Sequence, residues 1–354
     1  MVALSPCLDV GSGQGDSMKQ AAITGIRQAT LVDRPDPTPQ GDWVVVKVHA
    51  APMCTEYKRF LSGEPTDSLG HEAAGEVVAV AQPGRLKVGD RVVAMPLYGC
   101  GCCNLCVSGD YIHCQDVLQG NAFAPGGPGH ATYAQYIVKP DWLLPRIPDA
   151  VSYDRASLAC CGLGASFGAM QLMNVGAFTI ILITGAGPVG LGAVVNARFR
   201  GATAIVVESA PYRADLARHM GATVLDPTDP DTPARIRDLT GGLGVDCAID
   251  CSGTVQAQRL CVDATRRKGK VAFVGECSDP VALTISPDMI RKGLTLVGSW
   301  HYNLADFAKL MQVIERSPLL DLLVTHRFAM SDIQAAFDCS VSRQSGKIIL
   351  NPWA

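Results

Sequence analysis

Fourteen cysteines lie in a chain of 354 residues, and several of them are clustered. Cys100, Cys103, Cys106 and Cys114 stand close together, with Gly99, Gly101 and Gly109 to let the chain turn between them. Four thiolates at these spacings suit one tetrahedral zinc. With every position filled by protein, such an ion folds a lobe and does not catalyse. Cys102 lies between two of the ligands and is expected to point away, because adjacent residues rarely both reach one ion. Redox chemistry or ordinary buried thiols are the alternatives. A looser set is formed by Cys54, which follows a strand-like run, by Gly70-His71-Glu72, and by Cys160-Cys161-Gly162. A Cys/His/Cys set with the fourth position open to water or substrate is the pattern of a catalytic zinc. Singly each signal is weak: a lone cysteine is usually a small core residue, and a lone histidine is usually a hydrogen-bonded structural one.

A third constellation concerns phosphate. Ile180-Ile181-Leu182-Ile183-Thr184 reads as a buried strand and runs into Gly185-Ala186-Gly187-Pro188-Val189-Gly190, then into a helix-forming stretch. In that context the first glycine permits the tight turn, the second lets a pyrophosphate approach the backbone, and the third lets helix pack on strand. Glu208 follows eighteen residues after Gly190, at the end of Ala204-Ile205-Val206-Val207. An acid there accepts hydrogen bonds from a ribose 2′-hydroxyl and repels a 2′-phosphate, which favours NAD over NADP. The alternative is a domain of this kind that holds another nucleotide or none.

These residues need elements to position them. From about 18 to 150 the chain is β-rich and punctuated by Gly and Pro, as in Trp43–Val48, Gly75–Val80 and Val88–Ala94, which predicts a compact barrel-like module. From about 162 to 297 strands alternate with helix-length segments: Ile180–Thr184, Ala204–Glu208, Val245–Cys251, Lys270–Gly275 and Leu294–Val297. That alternation predicts a parallel sheet with helical crossovers. An amphipathic helix over Leu304–Arg316 and a strand at Lys347–Leu350 follow. Apolar residues make up 48% and charged residues 18%, so the chain is no disordered segment. A net charge of -3 without a basic tract argues against nucleic acid as a partner. The uncharged stretch between Arg155 and Arg198 invites a membrane reading, but its glycines fit a buried strand and helix better. Residues 1–17 have no basic or apolar segment of a secretory signal and are expected to be a loose extension before Met18. A reducing, cytoplasmic setting is expected from the cysteine pattern.

Taken together, the chain resembles the zinc-containing medium-chain dehydrogenases/reductases, the alcohol and polyol dehydrogenase family, from Met18 to Pro352. The motifs that carry the resemblance are Gly70-His71-Glu72-Ala73-Ala74-Gly75, the four-cysteine lobe, Gly185–Gly190, and Gly244-Val245-Asp246 with Asp250-Cys251-Ser252-Gly253. The resemblance implies an α/β fold. A Rossmann doubly wound parallel sheet (162–297) is inserted in a GroES-like β-barrel catalytic domain built from 18–161 and 298–354. It assigns a catalytic zinc to Cys54, His71 and Cys161, with Glu72 as a close or exchanging carboxylate and Cys160 the lesser candidate. It implies two zinc ions and one NAD per chain. Val274 and Ser299 are expected along the nicotinamide, Cys251 with the cofactor residues, and Arg213 and Lys347 near the adenosine ribose and phosphate. The short segment from Cys114 to Cys161 resembles the polyol and threonine dehydrogenase branches, which implies a homodimer or homotetramer.

One stretch departs from the family. Where a hydroxyl, an aspartate and a relay histidine are usual, this chain has Glu56, Tyr57 and Arg59 after Cys54-Thr55. Glu56 is therefore expected to be a general base or a substrate contact, or else a solvated partner of Arg59. Glu276, just past Gly275, is a second acid expected near the pocket. Trp300 and His301 are expected either to line that pocket or to pack. Two acids point to a polar small-molecule substrate: a polyol, sugar, cyclitol or amino-substituted relative, oxidised at a secondary alcohol. Two rivals are a reductase of a conjugated C=C or iminium, and a non-catalytic zinc- and NAD-binding protein.

Overall fold

The computed structural model describes residues 17–117 and 129–354. The expected extension lies outside them except for Ser17, which begins the first strand. β1 (Ser17–Gly25) and β2 (Gln28–Pro35) form an antiparallel hairpin. β3 (Trp43–Pro52) organises the barrel-like part. It pairs antiparallel with β4 (Ala73–Ala79) and with β6 (Tyr136–Pro140), and β4 pairs with β5 (Arg91–Ala94). The β-branched run Val44-Val45-Val46 with Val48 is buried along β3, as suits a strand covered on both faces. Phe60 and Phe337 stack at 4.7 Å in the same core, so chain segments from the two ends share one interior.

The second sheet holds β7 (Ile180–Thr184), β8 (Thr203–Val207), β9 (Thr223–Leu225), β10 (Val245–Asp250), β11 (Thr265–Phe273) and β12 (Thr295–Gly298). Its order is β12-β11-β10-β7-β8-β9, and every pairing is parallel. The order reverses between β7 and β10, which is the switch point where doubly wound sheets bind ligands beyond the strand C-termini. Five of these strands fall where the alternation placed them, although β11 begins at Thr265, ahead of the expected Lys270, and the short edge strand β9 is an addition to them. The amphipathic segment starts as a single 3₁₀ turn, Leu304–Asp306, before the helix Phe307–Arg316. The chain then returns to the first sheet. β13 (Val324–Ala329) lies parallel to β14 (Lys347–Asn351), and β14 pairs antiparallel with β3 at Ala51 and Pro52. The end of the chain is thereby laid beside Cys54. Among the described residues no helix is long and apolar enough to cross a membrane. The uncharged stretch forms the helix Gly164–Met173, then β7, then the helix Pro188–Phe199.

These two helices meet without spare volume. A Cβ added at Gly192 would lie 1.8 Å from the Gly162 carbonyl oxygen. Asn196 Nδ2 donates to Leu163 O at 3.0 Å and to Ser166 Oγ at 2.9 Å across the same contact. Gly192→Ala must therefore move backbone, and overpacking of this kind costs roughly 1–3 kcal/mol. Urea unfolding should show that loss. Gly176→Ala is the control, since open space surrounds Gly176, and its effect should stay within about 0.5 kcal/mol.

Candidate functional site

Three distant pieces of chain converge on one cluster. The ligand-type atoms of Cys54, His71, Glu72 and Cys161 all lie within 4.8 Å of one another. Cys54 sits just past β3, His71 and Glu72 just before β4, and Cys161 in the turn that leads into the helix Gly164–Met173. His71 Nε2 is 3.1 Å from Cys161 Sγ, so this nitrogen faces the centre of the group. The hydrogen bond with Cys161 pushes the Cys54 thiol down, and the charges of Lys347 and His71 add to this against the effect of burial. A thiolate is the form a metal requires. The structure also separates the two adjacent cysteines. Cys160 is wholly buried in the core, where its thiol donates to Ala94 O at 3.4 Å, and Cys161 alone enters the cluster.

Glu56 is not a solvated partner of Arg59. Its Oε1 is 2.7 Å from His71 Nδ1. Its Oε2 accepts from the Tyr133 hydroxyl at 2.8 Å and from the Cys54 amide at 3.1 Å. Burial pushes this carboxyl up, but the charge and hydrogen bond of His71, helped by Tyr133, outweigh it and hold the pKa at about 2. Both oxygens are therefore committed to the ligand shell. A carboxylate on the far nitrogen of a metal-facing histidine fixes the ring and its tautomer. This corrects the expectation of a base or substrate contact: Glu56 orients His71 and ties down the backbone of Cys54.

Lys347 also differs from expectation. It does not stand with the adenosine residues. Its Nζ is wholly buried and donates to Glu72 Oε1 at 2.6 Å, while Glu72 Oε2 accepts from the Cys161 amide at 2.9 Å. Burial works against the Lys347 ammonium, but Glu72, Cys54 and Cys161 outweigh it and hold its pKa above the usual lysine range. Like Glu56, Lys347 has a different role from the expected one, and Tyr133 was missed. Nothing local in the sequence marks Tyr133.

The other cysteine group lies in the lobe around Asn104–Val107 and Tyr111–His113. Cys100, Cys103, Cys106 and Cys114 bring their sulfurs within 4.8 Å of one another. Cys100–Cys106 measures 4.0 Å and Cys103–Cys114 3.8 Å. A tetrahedron built on Zn–S bonds of about 2.3 Å has an edge of about 3.8 Å, so the four thiols fit one zinc. Backbone amides of Cys103 and Cys100 already point at Cys100 Sγ and Cys114 Sγ, each at 3.3 Å. Cys102 is exposed, but it does not point away from the group: its Sγ lies 3.7 Å from Cys100 Sγ.

At the C-terminal edge of the parallel sheet, Gly185 has a φ of +81°, and a Cβ on Gly190 would lie 1.8 Å from Gly185 O. Both positions require glycine. The helix Pro188–Phe199 starts from this turn, with Pro188 and Val189 in its first turn over Gly187. Glu208 holds the same loop, its carboxylate accepting from Ala186 N at 2.6 Å and Ala210 N at 2.7 Å. The Arg213 guanidinium lies 3.7 Å from where a Gly187 side chain would begin. Cys251, Val274 and Ser299 follow β10, β11 and β12 directly, and their amides are held by Thr184 O, Asp250 O and Phe273 O. Glu276 and Trp300 are exposed, whereas His301 is buried.

With this geometry in view, the comparisons with known proteins are direct. Residues 40–149 match the alcohol dehydrogenase GroES-like domain, and residues 188–316 match the zinc-binding dehydrogenase domain. An L-threonine 3-dehydrogenase of Symbiobacterium thermophilum is 32% identical over 92% of this chain and 94% of its own length. A sorbitol dehydrogenase of Halalkalibacterium halodurans is 28% identical over 93% of this chain and 97% of its own. An alcohol dehydrogenase structure from Thermotoga maritima superposes with a TM-score of 0.83 at 26% identity, covering 95% of this chain and all of that one. The chain belongs to the zinc-binding dehydrogenase family and is an oxidoreductase of that family.

The commitment of Glu56 to His71 has a measurable consequence. Glu56→Gln should weaken zinc at this cluster by ~10–100-fold, the usual cost of losing a ligand's outer partner. Competition with a chromophoric chelator reads that loss directly. The four-cysteine zinc should be untouched. Unchanged affinity would remove the orienting role.

Proposed function

We propose that this enzyme transfers hydride between NAD(H) and a secondary alcohol or ketone of a polar small molecule. The observation that carries this reading is the joint at Gly162. The residue after the ligand Cys161 lies against the helix that springs from the glycine loop, so one backbone contact joins the metal cluster to the glycine turn. Zinc held by Cys54, His71 and Cys161 supplies Lewis-acid polarisation of the alcohol oxygen, and NAD supplies the hydride acceptor. The chain's own residues do the positioning. Glu56 and Tyr133 keep His71 turned to the centre, and Lys347 keeps Glu72 on the Cys161 amide. Glu208 stands where the adenosine ribose arrives, with Arg213 beside the phosphate-facing glycine. With Glu56 withdrawn, the polar character of the substrate rests on the relatives, whose names specify sorbitol and threonine.

Metal analysis of the purified protein should find two zinc ions per chain. Cys103→Ser should lose one and destabilise the fold, because a structural zinc contributes folding free energy. Cys54→Ser should lose the other, remain folded and turn over poorly. One zinc in the wild type with a fully active Cys54→Ser would rule the second site out. NAD should be preferred to NADP, and Glu208→Gln should narrow that preference; equal use of both by the wild type would refute the role given to Glu208.

A further inference from the structure

The cysteine lobe holds one thiol more than its zinc can take. A structural zinc is four-coordinate, and Cys100, Cys103, Cys106 and Cys114 fill all four places. Cys102 is a fifth, and it lies against the outside of that group. Its Sγ is 3.7 Å from Cys100 Sγ, and its thiol donates to that sulfur. Gly101 brings the two together. Its φ of +78° turns the chain between them, and Trp142 backs the turn, with Nε1 3.1 Å from where a Gly101 side chain would begin. The approach of the two sulfurs is therefore set by backbone.

The two thiols differ in access. Among the described residues Cys102 is the only exposed cysteine, whereas Cys106 is buried and Cys100, Cys103 and Cys114 are half-buried. An exposed thiol alone makes no site. Cys277 illustrates this: its thiol meets only a backbone carbonyl, Asp279 O at 3.6 Å. Cys102 instead lies against a sulfur that becomes a thiolate once zinc is bound, because a metal ligand must be deprotonated. An accessible thiol beside a thiolate supplies both halves of a disulfide exchange.

We propose that Cys102 is a modification site, which reacts with a small disulfide such as glutathione disulfide and passes the oxidation to Cys100. Cys102 gives its proton to solvent and attacks one sulfur of the small disulfide. That S–S bond breaks, a Cys102–glutathione bond forms, and one glutathione thiolate leaves. The Cys100 thiolate then attacks Cys102 Sγ, and the Cys100–Cys102 bond forms as the second glutathione thiolate departs. Both leaving thiolates take protons from water. Two cysteines are oxidised and one small disulfide is reduced to two thiols. The bond requires the sulfurs at about 2.0 Å, and rotation of the exposed Cys102 side chain closes the gap. Three thiolates then remain, and the lobe gives up its zinc. The lobe also anchors the segment after β12. Asn303 Nδ2 donates to Ser108 O at 2.8 Å and Asp110 Oδ1 at 2.9 Å, and Leu304 N donates to Gly109 O at 2.9 Å. Oxidation therefore loosens that anchor too. The proposal rests on the zinc assigned to the lobe above and is independent of the dehydrogenase reading.

Zinc-loaded protein treated with glutathione disulfide should release the lobe ion to a chromophoric chelator. Mass spectrometry without reduction should place a new link between Cys100 and Cys102. Cys102→Ser removes no zinc ligand and should bind zinc as the wild type does. It should slow the release by ~10-fold or more, since attack must then begin on a half-buried, metal-bound sulfur. Any release from the Cys54 cluster is common to both proteins and cancels in the comparison. Oxidant should also lower the Tm of the wild type and spare Cys102→Ser, and dithiothreitol with added zinc should restore it. If Cys102→Ser does not fold, Cys102→Ala makes the same comparison. Equal release from both proteins, or a Cys102–glutathione adduct that goes no further, would overturn the proposal. A wild type whose lobe holds no zinc would instead sink the zinc assignment, and the mapped link would still decide the role of Cys102.

Discussion

A fully buried carboxylate must be satisfied on both oxygens or it destabilises the protein that contains it. Glu72 meets that demand with two partners from far along the chain, the Cys161 amide and the Lys347 ammonium. The requirement accounts for much of the architecture. β14 has to return to the end of β3 so that Lys347 arrives behind the metal cluster. The turn at Cys161 has to present its amide to the same carboxylate, and so its thiol reaches the centre. Losing one partner of such a pair leaves a charge stranded, which typically costs about 3–5 kcal/mol. The ion pair therefore binds the Cys54–His71–Cys161 cluster to the fold more firmly than its single contact suggests.

Support continues outward from the ligands. His71 is oriented by Glu56, and Glu56 is in turn held by Tyr133, a residue buried in the barrel core. The positions of the residues that would hold a metal are thus set by neighbours whose own positions are fixed by packing, which is the condition for a site that needs no rearrangement to bind. On the nucleotide side, Glu208 plays a comparable part. It braces the glycine loop through the Ala186 amide at the place where its charge would meet a ribose.

Local chemistry was legible in the sequence wherever spacing along the chain sets it. The four-cysteine lobe, the glycine turn after β7 and the alternating strands all belong to this kind, because each depends on residues within a few turns of chain. Residues whose role depends on reach were misread. Glu56 occupies a position usual for a hydroxyl, but its longer arm carries the carboxylate past that position to His71 Nδ1. Lys347 lies 275 residues from Glu72, and no pattern in either neighbourhood announces the pair. The choice between Cys160 and Cys161 needed the family's pattern. In the structure it follows from one thiol facing Ala94 in the core and the other facing His71.

The contact between Gly192 and Gly162 has a mechanical consequence. Two backbones touching with no side chain between them have nothing compressible to yield, so the helix that leaves the glycine loop and the turn that follows Cys161 are held at one spacing. A displacement of either is passed to the other through backbone alone.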